Sequence, residues 1–94
     1  MGWTVILEGA GREVLSSLDR EFYIASRNNV KGSRLLVYLD PFGDTFFNRL
    51  QADDLVEDLR NLEKLEPNTL INDICALAER CKNDVHSYLV FHGD

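Results

Sequence analysis

Asp40 and Asp44 flank Pro41-Phe42-Gly43. Two carboxylates at that spacing could contribute to a site for a hard cation, which takes several oxygen ligands. The calcium-loop pattern is not met. Its third position is Phe42 rather than an acid, and its closing acid is replaced by Gln51. Turn chemistry accounts for both aspartates, because an Asp side chain accepts from the backbone amide two residues on. His86 and His92 share the parity of a strand over Val85 to Phe91 and its end. Six strand residues span about 20 Å, too far for both rings to reach one metal ion. Cys75 and Cys81 fall on one predicted helix about 9 Å apart along its axis and on different faces, which excludes a disulfide between them. Two packed thiols fit a reducing compartment, so a cytoplasmic location is expected. No serine sits in a nucleophile elbow, and Glu8-Gly9-Ala10-Gly11 lacks the third glycine and the lysine of a phosphate loop. The expectation is a protein that is not an enzyme, with no cofactor and no metal. A small hydrolase or metal-dependent enzyme built on Asp40, Asp44 and His86 stands against it, and requires those groups to converge in space.

Charge is the stronger signal. The formal net charge is −6. That surplus of acid argues against nucleic-acid binding and against docking on anionic membranes, both of which need Lys and Arg. It favours a basic protein partner, since opposite fields steer encounter. The acids concentrate between Leu50 and Glu66, where Asp53, Asp54, Glu57, Asp58, Glu63 and Glu66 face only Arg60 and Lys64 as bases. Asp54 and Asp58, with Glu57 further round, are expected opposite the apolar stripe Leu55, Leu59, Leu62. Like charges at i and i+4, as in Asp53/Glu57 and Asp54/Asp58, each cost a few tenths of a kcal/mol in a helix. A solvated helix face would tolerate that cost, and a surface for basic groups would explain it. Asp44, Asp53, Asp54, Glu57 and Asp58 are therefore the candidate partner-binding residues. Phe42, Phe46 and Phe47 crowd six residues. Three rings do not all fit a small core easily, so one of them is a candidate exposed anchor.

These side chains need a scaffold. Ninety-four residues, 45% of them hydrophobic, make a single domain spanning 1–94, with one modest core. Trp3 to Leu7 alternates as a strand and ends at Gly9-Ala10-Gly11. Arg12 to Ile24 supports two readings. A short helix would use Val14, Leu15, Leu18 and Phe22, whereas a hairpin over Gly9 to Arg12 would make Glu13 to Leu18 a second strand, the slightly favoured choice. Ser26 to Ser33 is a polar loop. Leu35 to Leu39 is apolar throughout and predicts a strand covered on both faces, stopped by Pro41. Helices are predicted over Ala52 to Leu65 and Thr69 to Lys82, capped by Asn68 or Thr69 in the second case. Val85 to Phe91 is a last strand, expected to pair with Leu35 to Leu39. The fold class is α+β: a small, mostly antiparallel sheet of three to four strands with two consecutive helices packed on one face. No apolar run reaches membrane-spanning length, and the N-terminus has no basic region leading into an apolar one, so no signal peptide is expected.

The run Tyr38-Leu39-Asp40-Pro41-Phe42-Gly43-Asp44-Thr45-Phe46-Phe47-Asn48-Arg49-Leu50-Gln51 resembles a signature of small bacterial proteins. In them an Asp-Pro-aromatic-Gly-Asp-Thr-x-Phe-Asn core joins a strand to a helix. In overall character the chain also resembles bacterial toxin-immunity proteins, which are single-domain, acidic and cytosolic and lack catalytic equipment. What this implies is a protein, monomeric or homodimeric, that neutralises or regulates a basic partner, such as a toxin domain. A regulatory or adaptor subunit that binds through apolar surface or a sheet edge is the alternative. The two differ in salt dependence, because apolar contacts survive ionic strength that screens charge steering.

Overall fold

Apolar residues at alternate positions place Trp3, Val5 and Leu7 on one face of the first strand, β1 (Gly2–Gly9), and all three are buried. A computed structural model, which describes residues 2–93, builds the sheet outward from this strand. β2 (Val14–Ser17) and the short β3 (Phe22–Tyr23) pair with one side of β1. β5 (Ser87–His92) pairs with the other side, and β4 (Asp44–Phe47) pairs beyond it. All pairings are antiparallel, in the order β2-β1-β5-β4 with β3 beside β1. The fold is α+β with five strands, one or two more than expected.

The hairpin is the correct reading of the ambiguous stretch. Gly9 N donates to Glu13 O at 2.9 Å and Arg12 N to Gly9 O at 3.0 Å, closing the turn between β1 and β2. Arg12 itself takes the left-handed conformation, with φ 68°, which is uncommon for a residue with a Cβ.

α1 (Ala52–Leu65) buries Leu55, Leu59 and Leu62, and α2 (Leu70–Lys82) buries Leu70, Ile71, Ile74, Cys75, Leu77, Ala78 and Cys81. These stripes share one core with Trp3, Val5 and Leu7 and with Leu89 and Phe91 of β5. Rings run across the sheet's core face: Phe47 of β4 meets Phe91 of β5 at 5.6 Å and Phe91 meets Phe22 of β3 at 6.0 Å, both edge to face. Asn48 starts the run into α1 with a capping box. Its side chain accepts from Leu50 N, and the Gln51 side chain accepts from Asn48 N, each at 3.0 Å. Asn68 supplies the side-chain cap of α2, accepting from Leu70 N at 2.9 Å. Among the described residues, no helix is long and apolar enough to cross a membrane.

The expectation that Leu35 to Leu39 forms a central strand is wrong. Leu36–Tyr38 is a turn of 3₁₀ helix that buries Leu36, with Leu39 buried just beyond it and Tyr38 left exposed. Burial at i and i+3 is the 3₁₀ period, not the strand period. The amides of Arg34, Leu35 and Leu36 are taken by the Asp58 carboxylate and so are lost to a ladder. β5 accordingly pairs with β1 and with Asp44–Phe47, not with Leu35 to Leu39. The Phe-rich shoulder is thus the edge strand. Phe47 points into the core, while Phe46 and Phe42 are exposed. The last strand begins at Ser87 rather than Val85, and the polar loop contains a 3₁₀ turn, Arg27–Val30, that buries Val30.

Candidate functional site

The five acidic candidates come to different ends. Asp58 lies on the side of α1 that meets the 26–39 segment and is only 5% exposed, which corrects its expected place opposite the apolar stripe. Its Oδ1 accepts from Arg34 N at 3.2 Å, and its Oδ2 from Leu35 N at 2.7 Å and Leu36 N at 3.3 Å. A carboxyl group that takes three backbone donors is a structural cap of the 3₁₀ turn. Asp54 pairs with Arg34 Nη1 at 2.8 Å. That hydrogen bond, then the charges of Asp54 and Glu57, hold the Arg34 guanidinium above its ordinary pKa. Asp53 reaches Lys82 Nζ on α2 at 3.0 Å, which raises the Lys82 pKa in the same way. Asp44 sits away from α1, on β4, where it meets His92 Nδ1 at 2.8 Å. Glu57 is exposed, and no hydrogen bond or ion pair engages its carboxylate among the described residues.

Glu57 borders an open polar hollow of about 410 Å³ between α1 and the 28–34 segment. Asn28, Asn29, Arg34, Asn61 and Leu65 also line it. The wall opposite α1 is fixed from the helix end: Glu66 Oε1 accepts from Ala25 N at 2.9 Å and Glu66 Oε2 from Asn29 Nδ2 at 2.6 Å. Ser33 Oγ, donating to Val30 O at 2.6 Å and accepting from Val37 N at 2.9 Å, ties the same segment to the 3₁₀ turn. The Asn28 and Asn61 carboxamides make no hydrogen bond among the described residues. One free carboxylate, two free amide oxygens and the exposed Leu65 side chain suit a long cationic side chain. The head would accept from no one and donate to Glu57, while an aliphatic stem lies on Leu65.

The hydrolase constellation is not assembled. Asp44 pairs in register with His92, whereas His86 precedes the far end of β5, about 20 Å away at strand spacing. Asp40 does what turn chemistry predicts, with its Oδ1 accepting from Phe42 N at 2.9 Å.

A second ionic group escaped the sequence. On the sheet face away from the helices, Glu8 is buried, with Oε1 on Arg12 Nε at 3.0 Å and Oε2 on His92 Nε2 at 3.3 Å. Arg12 then arches to 5.2 Å from the Phe46 ring, and beneath this cover Val90 is fully buried. The only sequence signal was parity: Glu8 falls in step with Thr4 and Ile6, and His92 in step with Val90. Their meeting depends on strand pairing across 84 residues. Cys75 and Cys81 are free and buried, and burial is the main cause that raises both thiol pKa values. Among the described residues, no group of three or more His, Cys, Asp or Glu side chains is placed to hold a metal ion. No known protein family, curated protein or solved structure matches the chain.

Proposed function

We propose that this chain is a non-enzymatic binding protein that receives a basic segment of a protein partner on the surface made by α1 and the 28–34 segment. The observation that carries this reading is the unpaired Glu57 carboxylate at the border of a polar hollow, on an acidic chain. A partner Arg or Lys inserts there, donating to Glu57 and to the oxygens of Asn28 and Asn61. Asp53 and Asp54 are already paired with Lys82 and Arg34, so the field that speeds encounter is that of the whole chain, with its net charge of −6. In its most concrete form the protein is a cytoplasmic immunity protein that covers a functional surface of a basic toxin domain. The free thiols of Cys75 and Cys81 fit that compartment.

The test is capture from the source cell with tagged protein, followed by association kinetics with what is retained. Glu57→Lys should slow association by about tenfold with the fold intact. Retention of a basic protein that binds Glu57→Lys as fast as the unaltered chain would end the proposal. The alternative, a regulatory or adaptor subunit, draws on a different observation: Tyr38, Phe42, Phe46 and Leu50, on and flanking β4 in the chain, are all exposed. Binding of that kind would be indifferent to Glu57.

A further inference from the structure

We infer that the free edge of β4 pairs with β4 of a second copy of this chain, joining two five-stranded sheets across a two-fold axis at Thr45. This stands apart from the basic-partner reading, which uses α1 and the 28–34 segment. The argument begins with which backbone groups point outward. Gly93 N donates to Gly43 O at 2.8 Å, and the β4–β5 register pairs Asp44 with His92 and Phe46 with Val90. In an antiparallel ladder, directly bonded pairs alternate with unbonded ones. Residues 43, 45 and 47 therefore turn their amides and carbonyls toward β5, and Asp44 and Phe46 turn theirs away from it. β4 has no other strand neighbour among the described residues.

Sheet proteins blunt such edges with short strands, charged side chains, proline, a bulge or a covering segment. β4 is short and carries one charge, Asp44, which His92 of the same sheet engages; it contains neither lysine nor proline, and the sheet's register shift lies between β1 and β2. The opposite edge is broken into two short strands, β2 and β3. Apolar side chains on and next to β4 in the chain are exposed: Phe46 is 44% exposed, with the Arg12 guanidinium over its ring, and Phe42 and Leu50, just before and after the strand, are 83% and 76% exposed. Exposed aromatic groups beside unpaired backbone are what an interface core is made of.

Self-complementarity picks the occupant and fixes the register. A second β4 running antiparallel meets the first in three ways that respect the outward groups. Setting Asp44 opposite its own copy brings like charges together and calls on Phe42 N, already donated to Asp40 Oδ1. Setting Phe46 opposite its own copy calls on Asn48 N, already donated to Gln51 Oε1. Setting Asp44 opposite the copy's Phe46 uses every outward group of both residues, makes four hydrogen bonds and puts no two carboxylates face to face. Thr45 then lies opposite its own copy as an unbonded pair, with Cα atoms about 4.5 Å apart.

That geometry gives a direct test, because a disulfide accepts Cα separations of about 4.4–6.8 Å. Sedimentation equilibrium of the full chain should show a doubled mass as concentration rises. Thr45→Cys should cross-link to a dimer in oxidised glutathione, and Asp44→Cys, displaced from its own copy, should not. The native thiols are buried and leave the readout clean. Phe46→Lys gives up the Arg12 contact over its ring but, at a position 44% exposed, should remain folded by circular dichroism and weaken association at least about tenfold. A chain that stays monomeric to millimolar concentration overturns the inference. So does a dimer that neither responds to Phe46→Lys nor cross-links through Thr45→Cys, including one in which β4 takes the strand of a different protein.

Discussion

The carboxylate of Asp58 accepts three backbone N–H groups, while its neighbour Glu57 accepts none. One residue step, about 100° around the helix, separates a cap from a free charge. The two predict different measurements. Asp58→Asn keeps the size but turns an amide N–H₂ toward donors. A hydrogen bond to a charged group contributes roughly 1.5–3 kcal/mol net, so the variant should lose about 2–3 kcal/mol in urea unfolding. Amide exchange at Leu35 and Leu36 should quicken with it. Glu57→Lys removes no hydrogen bond, only the charge interaction with the exposed Arg34, and should stay within about 0.5 kcal/mol of the unaltered chain. The contrast matters for function, because a binding defect in an Asp58 variant would report lost structure. Glu57 is the position at which affinity can be read cleanly.

At the scale of elements, the join from β4 into α1 carries more than its length suggests. Asn48 caps it, and α1 in turn presents Asp58 to the 3₁₀ turn and Glu57 to the hollow. Asn48→Ala should cost about 1 kcal/mol by thermal or urea unfolding, and Asn48→Asp should recover most of that loss. Both helices were legible in the sequence because Leu55/Leu59/Leu62 and Leu70/Ile74/Leu77/Cys81 repeat at helical spacing over three turns. β1 was legible by strict alternation. Leu35 to Leu39 misled for a tertiary reason, since nothing local says that an Asp some twenty residues later will take its amides. β4 was missed because four residues ending in Phe-Phe give too short a period to see. The acidic stripe was legible as composition but not as contacts. Arg34, Lys82 and His92, which pair with Asp54, Asp53 and Asp44, reach them only through the fold.

For the whole molecule, the net charge of −6 acts with opposite sign on the two proposed associations. A basic partner is drawn in by that field, and a second copy is pushed away by it. At about 0.15 M ionic strength the screening length is near 8 Å, so both effects are already partial, and both fade further as salt is added. Binding of the basic partner should therefore weaken with salt, chiefly through a slower association rate. Self-association through β4 should strengthen over the same range, because its hydrogen bonds and apolar contacts are little screened while the repulsion is. Sedimentation equilibrium of the chain alone and association kinetics with its partner, measured over one salt series, would give the two slopes. Slopes of opposite sign would show charge attraction governing one association and charge repulsion opposing the other. A dimer that weakens with salt would instead be held by ion pairs, for which the Arg12 guanidinium over Phe46 and the copy's Asp44 opposite that residue are the groups at hand.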